Sequence, residues 1–336
     1  MILRMKISII LVFVFLSCYG CAKNGNDLMD PPDSPSSNDP PEVTLTWVSS
    51  ARPPGGSLHI ARTTSNGKTS QITYLTDSPY NDYKPVISPD STKIAFFRAY
   101  NEGGNFFLWN SSICVMNADG SDLRELTGHE FMNTEPYWTR DGTNCITWSR
   151  MIHSSEGTFG TYVYRTGMED SPGDEVQISA TNWEWGNSSL RDGRMFVSRG
   201  GAHFLLNPDP GGNPGYEEIS YPDSYHYLHK VTISNDETMI AYMKKIDPDG
   251  DDYLGSQIVY ANLDASVPAI TNEVVFVPKN ENKFSWYVSI SPDNNYLIYA
   301  EDGKIMIHDV ETGKNSQFST MKEVEYRYPT FDGSVK

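Results

Sequence analysis

Seven histidines are spread through the 336-residue chain, and their positions bound the metal and acid–base chemistry it can support. His59, His203 and His308 fall in segments of alternating apolar residues and read as ordinary strand residues. His129, His153, His226 and His229 fall in polar, aromatic-rich stretches that read as loops. Imidazoles converging on one point can bind a divalent metal. Glu130, Tyr221, Tyr225 and Tyr227 share those stretches, and the tyrosines could stack on sugar rings. Only His226 and His229 are closely spaced, so a metal-assisted polysaccharide lyase or hydrolase competes here with plain solvated histidines. Asp247, Asp249 and Asp251, within DPDGDD, resemble a calcium loop. As an EF-hand the segment fails, because Asp252 stands where the invariant Gly belongs and Ile258 where the last Glu belongs. A looser site for calcium or another divalent ion, or a solvated acidic hairpin tip, remains. No Gly-x-Ser-x-Gly elbow, Walker loop or dinucleotide fingerprint is present.

Composition points to strands rather than helices. Tyr (20), Phe (14) and Trp (7) are plentiful, as are Gly (26) and Pro (21), which is the usage of short strands joined by many turns. Hydrophobic residues at 38% suffice for a packed core. The net charge of −17 repels a phosphate backbone, so nucleic acid is not an expected partner.

The amino terminus reads as an address. Arg4 and Lys6 precede an apolar run from Ile7 to Leu16, too short to span a bilayer but suited to a secretory leader. The segments ending at Cys18 and Cys21 resemble a bacterial lipoprotein signal, in which the cysteine becomes the lipidated first residue. Residues 1–17 are then the signal peptide. Residues 18–42, rich in Pro and Asp, form an extended tether. The resemblance implies a lipid anchor in the bacterial cell envelope, with the outer membrane as the expected location.

After residue 42 an internal repeat dominates. KPVISPDSTKIAFF (84–97) matches EPYWTRDGTNCITW (135–148), and weaker copies occupy 187–198, 230–243 and 287–300. RYPTFDGSVK (327–336) is a clipped copy. The shared aspartates are Asp90, Asp141, Asp192, Asp236, Asp293 and Asp332. A period of about 40–50 residues made of short alternating strands is that of a propeller blade. The c-strand, Asn-x-Asp-Gly, Leu-Thr and Pro-x-Trp-Ser-Pro-Asp-Gly pattern resembles the TolB-like β-propeller family. That resemblance is strong at 84–149 and weak at 187–198, where the proline is missing. TolB carries a separate amino-terminal α/β domain where this chain has a tether, so its role in the Tol-Pal system is not carried over.

The resemblance and the repeat together predict an all-β, six-bladed β-propeller over residues 43–336. Residues 43–50, 57–63 and 70–76 should be three strands of a closing blade whose innermost strand is 327–335. Cys114 and Cys145, on neighbouring blades, are expected to be buried free thiols, since packed sheets lie about 10 Å apart. Loops at 77–84, 98–111, 128–134, 150–159, 220–229, 244–255 and 278–284 should gather on one face. The expected function is non-catalytic binding of an envelope protein or glycan on that face. The competing one is the metal-assisted enzyme, because oligogalacturonate lyases, propellers of related repeat type, use a histidine cluster in this way. Replacing both Cys18 and Cys21 by Ser should move the protein from the membrane pellet to the soluble fraction and abolish labelling by a palmitate analogue. The two single variants identify which cysteine carries lipid.

Overall fold

A computed structural model describes residues 43–100, 110–153, 159–168, 174–180, 184–199, 202–208, 214–221, 227–245, 257–277 and 285–335. The leader, the tether, Cys18 and Cys21 lie outside the described residues. Every regular element among the described residues is a strand, and the strands form six four-stranded antiparallel sheets. Within each sheet we name the strands a to d outward from the axis. The a strands of blades 1 to 5 are Asn81–Ile87, Met132–Trp138, Glu184–Ser189, Tyr227–Ile233 and Ser285–Ile290. The sixth a strand is Glu325–Val335, and it pairs with the b strand Leu45–Arg52 from the other end of the chain. Successive a strands neighbour one another all the way round. That is a closed propeller.

The repeated turn residues are explained by their hydrogen bonds. In blade 1, Ser88 Oγ donates to Asp90 Oδ1 at 2.6 Å and accepts the Lys93 N–H at 2.9 Å. Asp90 Oδ1 also accepts the Thr92 N–H at 3.1 Å. The same lattice recurs at Ser234–Asp236–Thr238 and at Ser291–Asp293–Asn295. Blade 2 uses Thr139 in place of the serine. The Ser88 hydroxyl is the main reason the Asp90 carboxyl sits below the ordinary range. At Asp141 and Asp236 partial burial pulls upward, and the hydroxyl and N–H donors overcome it. The residue after the aspartate is left-handed: φ is 60° at Ser91, 80° at Gly142, 91° at Gly193, 63° at Glu237 and 63° at Asn294. Glycine occupies that site at least cost, which is why Asp-Gly recurs.

Asp332 is not a sixth copy of this turn. It lies inside the closing strand and pairs with Arg62. The b strand of blade 6 comes from the other terminus, so no a–b hairpin exists there for an aspartate to shape.

Leu-Thr at the end of the d strand has its own task. The hydroxyls of Thr76, Thr127, Ser179 and Ser319 accept the N–H groups of Ile60, Ile113, Val163 and Ile305 at 2.9, 3.0, 2.9 and 3.1 Å. The residue before each hydroxyl returns its own N–H to the same c-strand residue's carbonyl. Leu126, Ile178 and Phe318 bury their side chains at this point. One dipeptide thus closes two backbone groups and fills the core.

That core lies between blades. Trp47, Leu45 and Ala61 of blade 6 pack with Ile298, Ile305, Ile307 and Phe318 of blade 5, and Tyr326 and Phe331 of the closing strand join them. Tyr328 meets Tyr83 of blade 1 and Tyr287 of blade 5, with ring centroids 6.1 and 4.2 Å away. Cys114 is buried on the c strand of blade 1 and Cys145 is only half-buried, and both are free. Cys145 sits in the a–b turn just before its strand begins at Ile146, which exposes what the sequence placed inside.

Two stability outcomes follow from these contacts. Thr127→Val strands the buried Ile113 N–H and should cost about 1–3 kcal/mol by urea denaturation, with Thr127→Ser restoring most of it. Deleting residues 327–336 removes Tyr328, Phe331 and most of the pairing with Trp47 and its neighbours. Burial of each aromatic is worth about 3–5 kcal/mol against a total of about 5–15. The truncated protein should aggregate or fail to accumulate; melting within a degree or two of the intact chain would contradict this closure.

Candidate functional site

Each a strand breaks register halfway along. The interruption follows Tyr83, Thr134, Gly186, His229 and Trp286 in blades 1 to 5, and Arg327 in the closing strand. The first extra residue is Lys84, Glu135, Asn187, Lys230, Tyr287 or Tyr328. Five of these six have left-handed backbone: φ is 50° at Lys84, 58° at Glu135, 57° at Lys230, 49° at Tyr287 and 56° at Tyr328. None is glycine, so each conformation costs about 1–3 kcal/mol and persists because its surroundings enforce it. A bulge re-aims its side chain, and here residues from blades 1, 2, 4 and 5 meet at the axis. Asn187 is the exception. Its amide is tied sideways, donating to Ser198 Oγ at 3.3 Å and accepting the Val231 N–H at 3.3 Å.

Glu135 is the centre of the cluster. Its Oε2 accepts from Lys84 Nζ, and its Oε1 accepts from Lys230 Nζ and from the Tyr287 hydroxyl at 3.0 Å. Lys84 Nζ donates also to the Tyr137 hydroxyl at 2.6 Å and stands 4.0 Å from the centroid of that ring. Lys230 Nζ stands 4.9 Å from the Tyr287 ring centroid. Lys84, Glu135, Tyr137 and Tyr287 are all buried. Burial lowers the Lys84 ammonium to about 7, with Lys230 pushing the same way and Glu135 opposing. Burial pulls Glu135 upward, but Lys230 and Lys84 together hold its carboxyl down at about 2.

A second feature lies on the rim. Antiparallel order puts the b–c and d–a connections on one face, and the longest are residues 100–110 and 246–256. On that face Tyr80, Tyr100 and His129 form a cluster of tilted rings, with centroid separations of 4.8 Å at each step and interplanar angles of 56° and 38°. The Tyr100 hydroxyl is anchored to Glu125 Oε1. Phe131, two residues after His129, is exposed, with the Arg150 guanidinium 5.0 Å from its ring centroid.

The sequence candidates separate on this frame. His129 and Glu130 are exposed on the rim as expected. Tyr221 is half-buried, packed against the apolar cluster shared by blades 3 and 4, its ring edge-on to His203 at 5.6 Å. Tyr227 and His229 belong to the a strand of blade 4 rather than to a loop, and His153 ends the b strand of blade 2. The side chains of these three, all of Tyr225 and His226, and Asp247, Asp249 and Asp251 lie outside the described residues. Among the described residues no group of three or more His, Cys, Asp or Glu side chains could hold a metal ion. His59, His203 and His308 sit on c strands, as their patterning indicated.

The axial cluster was missed, although its column was in view: Lys84, Glu135, Lys230, Tyr287 and Tyr328 each open the repeated segments KPVI, EPYW, KVTI, YVSI and YPTF.

Glu135→Gln should expose the worth of the central carboxylate. Removing it leaves two ammonium groups facing each other in a buried site, at a cost of about 3–5 kcal/mol. The cost should be largest near pH 6, where Lys84 is charged, and smaller at pH 9. The sign follows from Lys84 itself: its folded value lies below the unfolded one of about 10.4, so stability from this group falls as pH drops toward 7 and is then flat. Denaturation of both proteins at the two pH values checks it.

No protein-family model matches the chain, and no curated protein matches it. Solved structures do. TolB from Acinetobacter baumannii aligns with a TM-score of 0.63 at 15% identity, covering 89% of this chain and 69% of that one. Kuenenia stuttgartiensis hydrazine synthase aligns at 0.58 and 15% identity, over 87% of this chain, which spans 47% of its length. The periplasmic gluconolactonase PpgL of Pseudomonas aeruginosa aligns at 0.50 and 12% identity, over 87% of this chain and 98% of that one. At such identities the likeness concerns fold alone. In fold, this chain is a six-bladed β-propeller similar to that of TolB.

Proposed function

We propose that the protein is a non-catalytic binding propeller of the bacterial cell envelope, held to the membrane through a lipid on Cys18 or Cys21, that recognises a protein or glycan on its long-loop face. The observation that carries this is the Tyr80–Tyr100–His129 ring cluster. Three rings held in one place on the rim of a rigid scaffold give an anchor of large area and little conformational freedom to lose. Phe131 and Glu130 extend the same patch, and the connection beginning at Tyr100 is among the longest on that face. The lipoprotein-like leader and the Pro/Asp-rich tether support the envelope location, and the TolB-like fold is compatible with it.

The metal-assisted lyase has no comparable observation in its favour. Its cluster needs His153, His226 and His229, whose side chains lie outside the described residues, and His129 is engaged with Tyr100.

The test is capture from envelope extracts by the intact propeller and by a Tyr100→Ala/His129→Ala variant. A specific partner retained by the first should fall at least about tenfold with the second, since hot-spot truncations cost roughly 2 kcal/mol or more. Equal retention by both would remove the rim from the binding surface.

A further inference from the structure

The rim does not use the axial cluster, and the cluster has a chemical imbalance. With both lysines protonated, Lys84, Lys230 and Glu135 sum to one positive charge, inside a protein whose net charge is −17. Its hydrogen-bond inventory is one-sided in the same sense. Lys230 Nζ uses one of three donors, on Glu135, and Lys84 Nζ uses two, on Glu135 and the Tyr137 hydroxyl. The Tyr137 hydroxyl accepts from Lys84, so its own proton is left over. Among the described residues, nothing accepts those remaining protons. Glu135, the one anion present, already receives three hydrogen bonds.

The members of the cluster differ in burial. Lys230 has 18% of its side chain exposed against 6% for Lys84 and 10% for Glu135, so Lys230 is the member of the cluster most accessible to solvent and solutes. Blade 3 lies between Glu135 and Lys230 in the ring. Its bulge residue, Asn187, is bound to Ser198 and Val231 and does not join the cluster. Tyr137 and Tyr287 supply aromatic walls.

We propose that this axial cluster is a binding site for a small organic monocarboxylate, whose anionic oxygens take the unused protons of Lys230, Lys84 and Tyr137 beside the ring of Tyr287. An acceptor-only group with one negative charge matches both the donor set and the charge; a dianion such as phosphate would overturn the balance. The left-handed backbone at Lys84, Glu135, Lys230 and Tyr287 supports the assignment, because strain of that kind gathers at binding sites. The groups facing Lys84 are Glu135 and Tyr137 of blade 2, Lys230 of blade 4 and Tyr287 of blade 5. An added anion raises the proton affinity of Lys84, which stands near 7 without it, so binding above that pH takes up a proton.

The experiment is calorimetric titration of the intact propeller with acetate and with glucuronate, using glucose and inorganic phosphate as controls. Both carboxylates should bind and glucose should not, and phosphate should bind at least tenfold more weakly. Affinity should fall about tenfold per pH unit above 7, with up to one proton taken up at pH 8, read from buffers of different ionisation heat. Lys230→Met keeps the Lys84–Glu135 pair and the side-chain stem but removes one partner of Glu135, so some loss of stability is expected; titrated at a temperature well below its own melting transition, it should bind carboxylate at least tenfold more weakly than the parent. Binding by the parent that Lys230→Met leaves intact, or no saturable heat at tens of millimolar carboxylate, would overturn the proposal and leave water as the partner of those donors. Loss of rim capture by Tyr100→Ala/His129→Ala is measured separately, so either assignment can fail alone.

Discussion

Six strands must converge on one axis without leaving their backbone groups unpaired, and the rest of the molecule is arranged around that constraint. A bulge in each inner strand frees backbone groups that the ladder would otherwise use. Side chains from adjoining blades answer them. Ser50 Oγ of blade 6 accepts the Lys84 N–H at 3.2 Å, Ser149 Oγ of blade 2 accepts the Gly186 N–H at 3.0 Å, and Asn187 Oδ1 accepts the Val231 N–H. Carbonyls freed at the same level are met by Trp138 Nε1 on Val86, Ser189 Oγ on Trp138 and Thr330 Oγ1 on Pro85, at 3.0, 3.0 and 2.9 Å. Each bond crosses from one blade to another, so pairing the backbone and fastening the ring are a single act.

The turns and the axis differ in how plainly the sequence displays them. Ser-Pro-Asp-Ser and Leu-Thr are legible because each residue type performs a backbone task, so the same letters recur wherever the task recurs. Asp332 matched those letters without the task, since its blade has no a–b hairpin, and letters alone could not separate it from Asp293. The axial column has the opposite property. Its members share a register break, and all but Asn187 a left-handed backbone, but not a chemistry, reading Lys, Glu, Asn, Lys, Tyr and Tyr round the ring. Blade 3 hides it further. From bulge to turn aspartate is one residue shorter there, so aligning on Asp192 puts Gly186 in the column where Asn187 belongs. The histidines are no guide to it either: His229 and its neighbour Tyr227, which read as loop residues, lie in the a strand of blade 4.

Glu135 shows why the cluster is not simply packing. A buried ion pair adds little net stability over well-packed apolar groups, because desolvating the charges offsets most of their attraction. The inter-blade core is filled instead by side chains such as Trp47, Trp148 and Phe196 at no such cost. Placing two lysines and one glutamate on left-handed backbone therefore runs against both packing and strain. Such exceptions to local consistency mark functional positions.

The acidic exterior and the cationic axis also select by size. At physiological ionic strength charges are screened over about 8 Å, so a small anion at the proposed axial site would feel the two lysines more strongly than the acidic exterior. A polyanion cannot do this. Its remaining charges must lie along an exterior that carries the excess of Asp and Glu, and each adds repulsion that one axial contact does not offset. Under the proposed carboxylate assignment, the same charge distribution disfavours nucleic acid and long polyuronates and favours a short carboxylate at Lys230. It also leaves the uncharged rings of the rim as the surface on which a larger partner can settle.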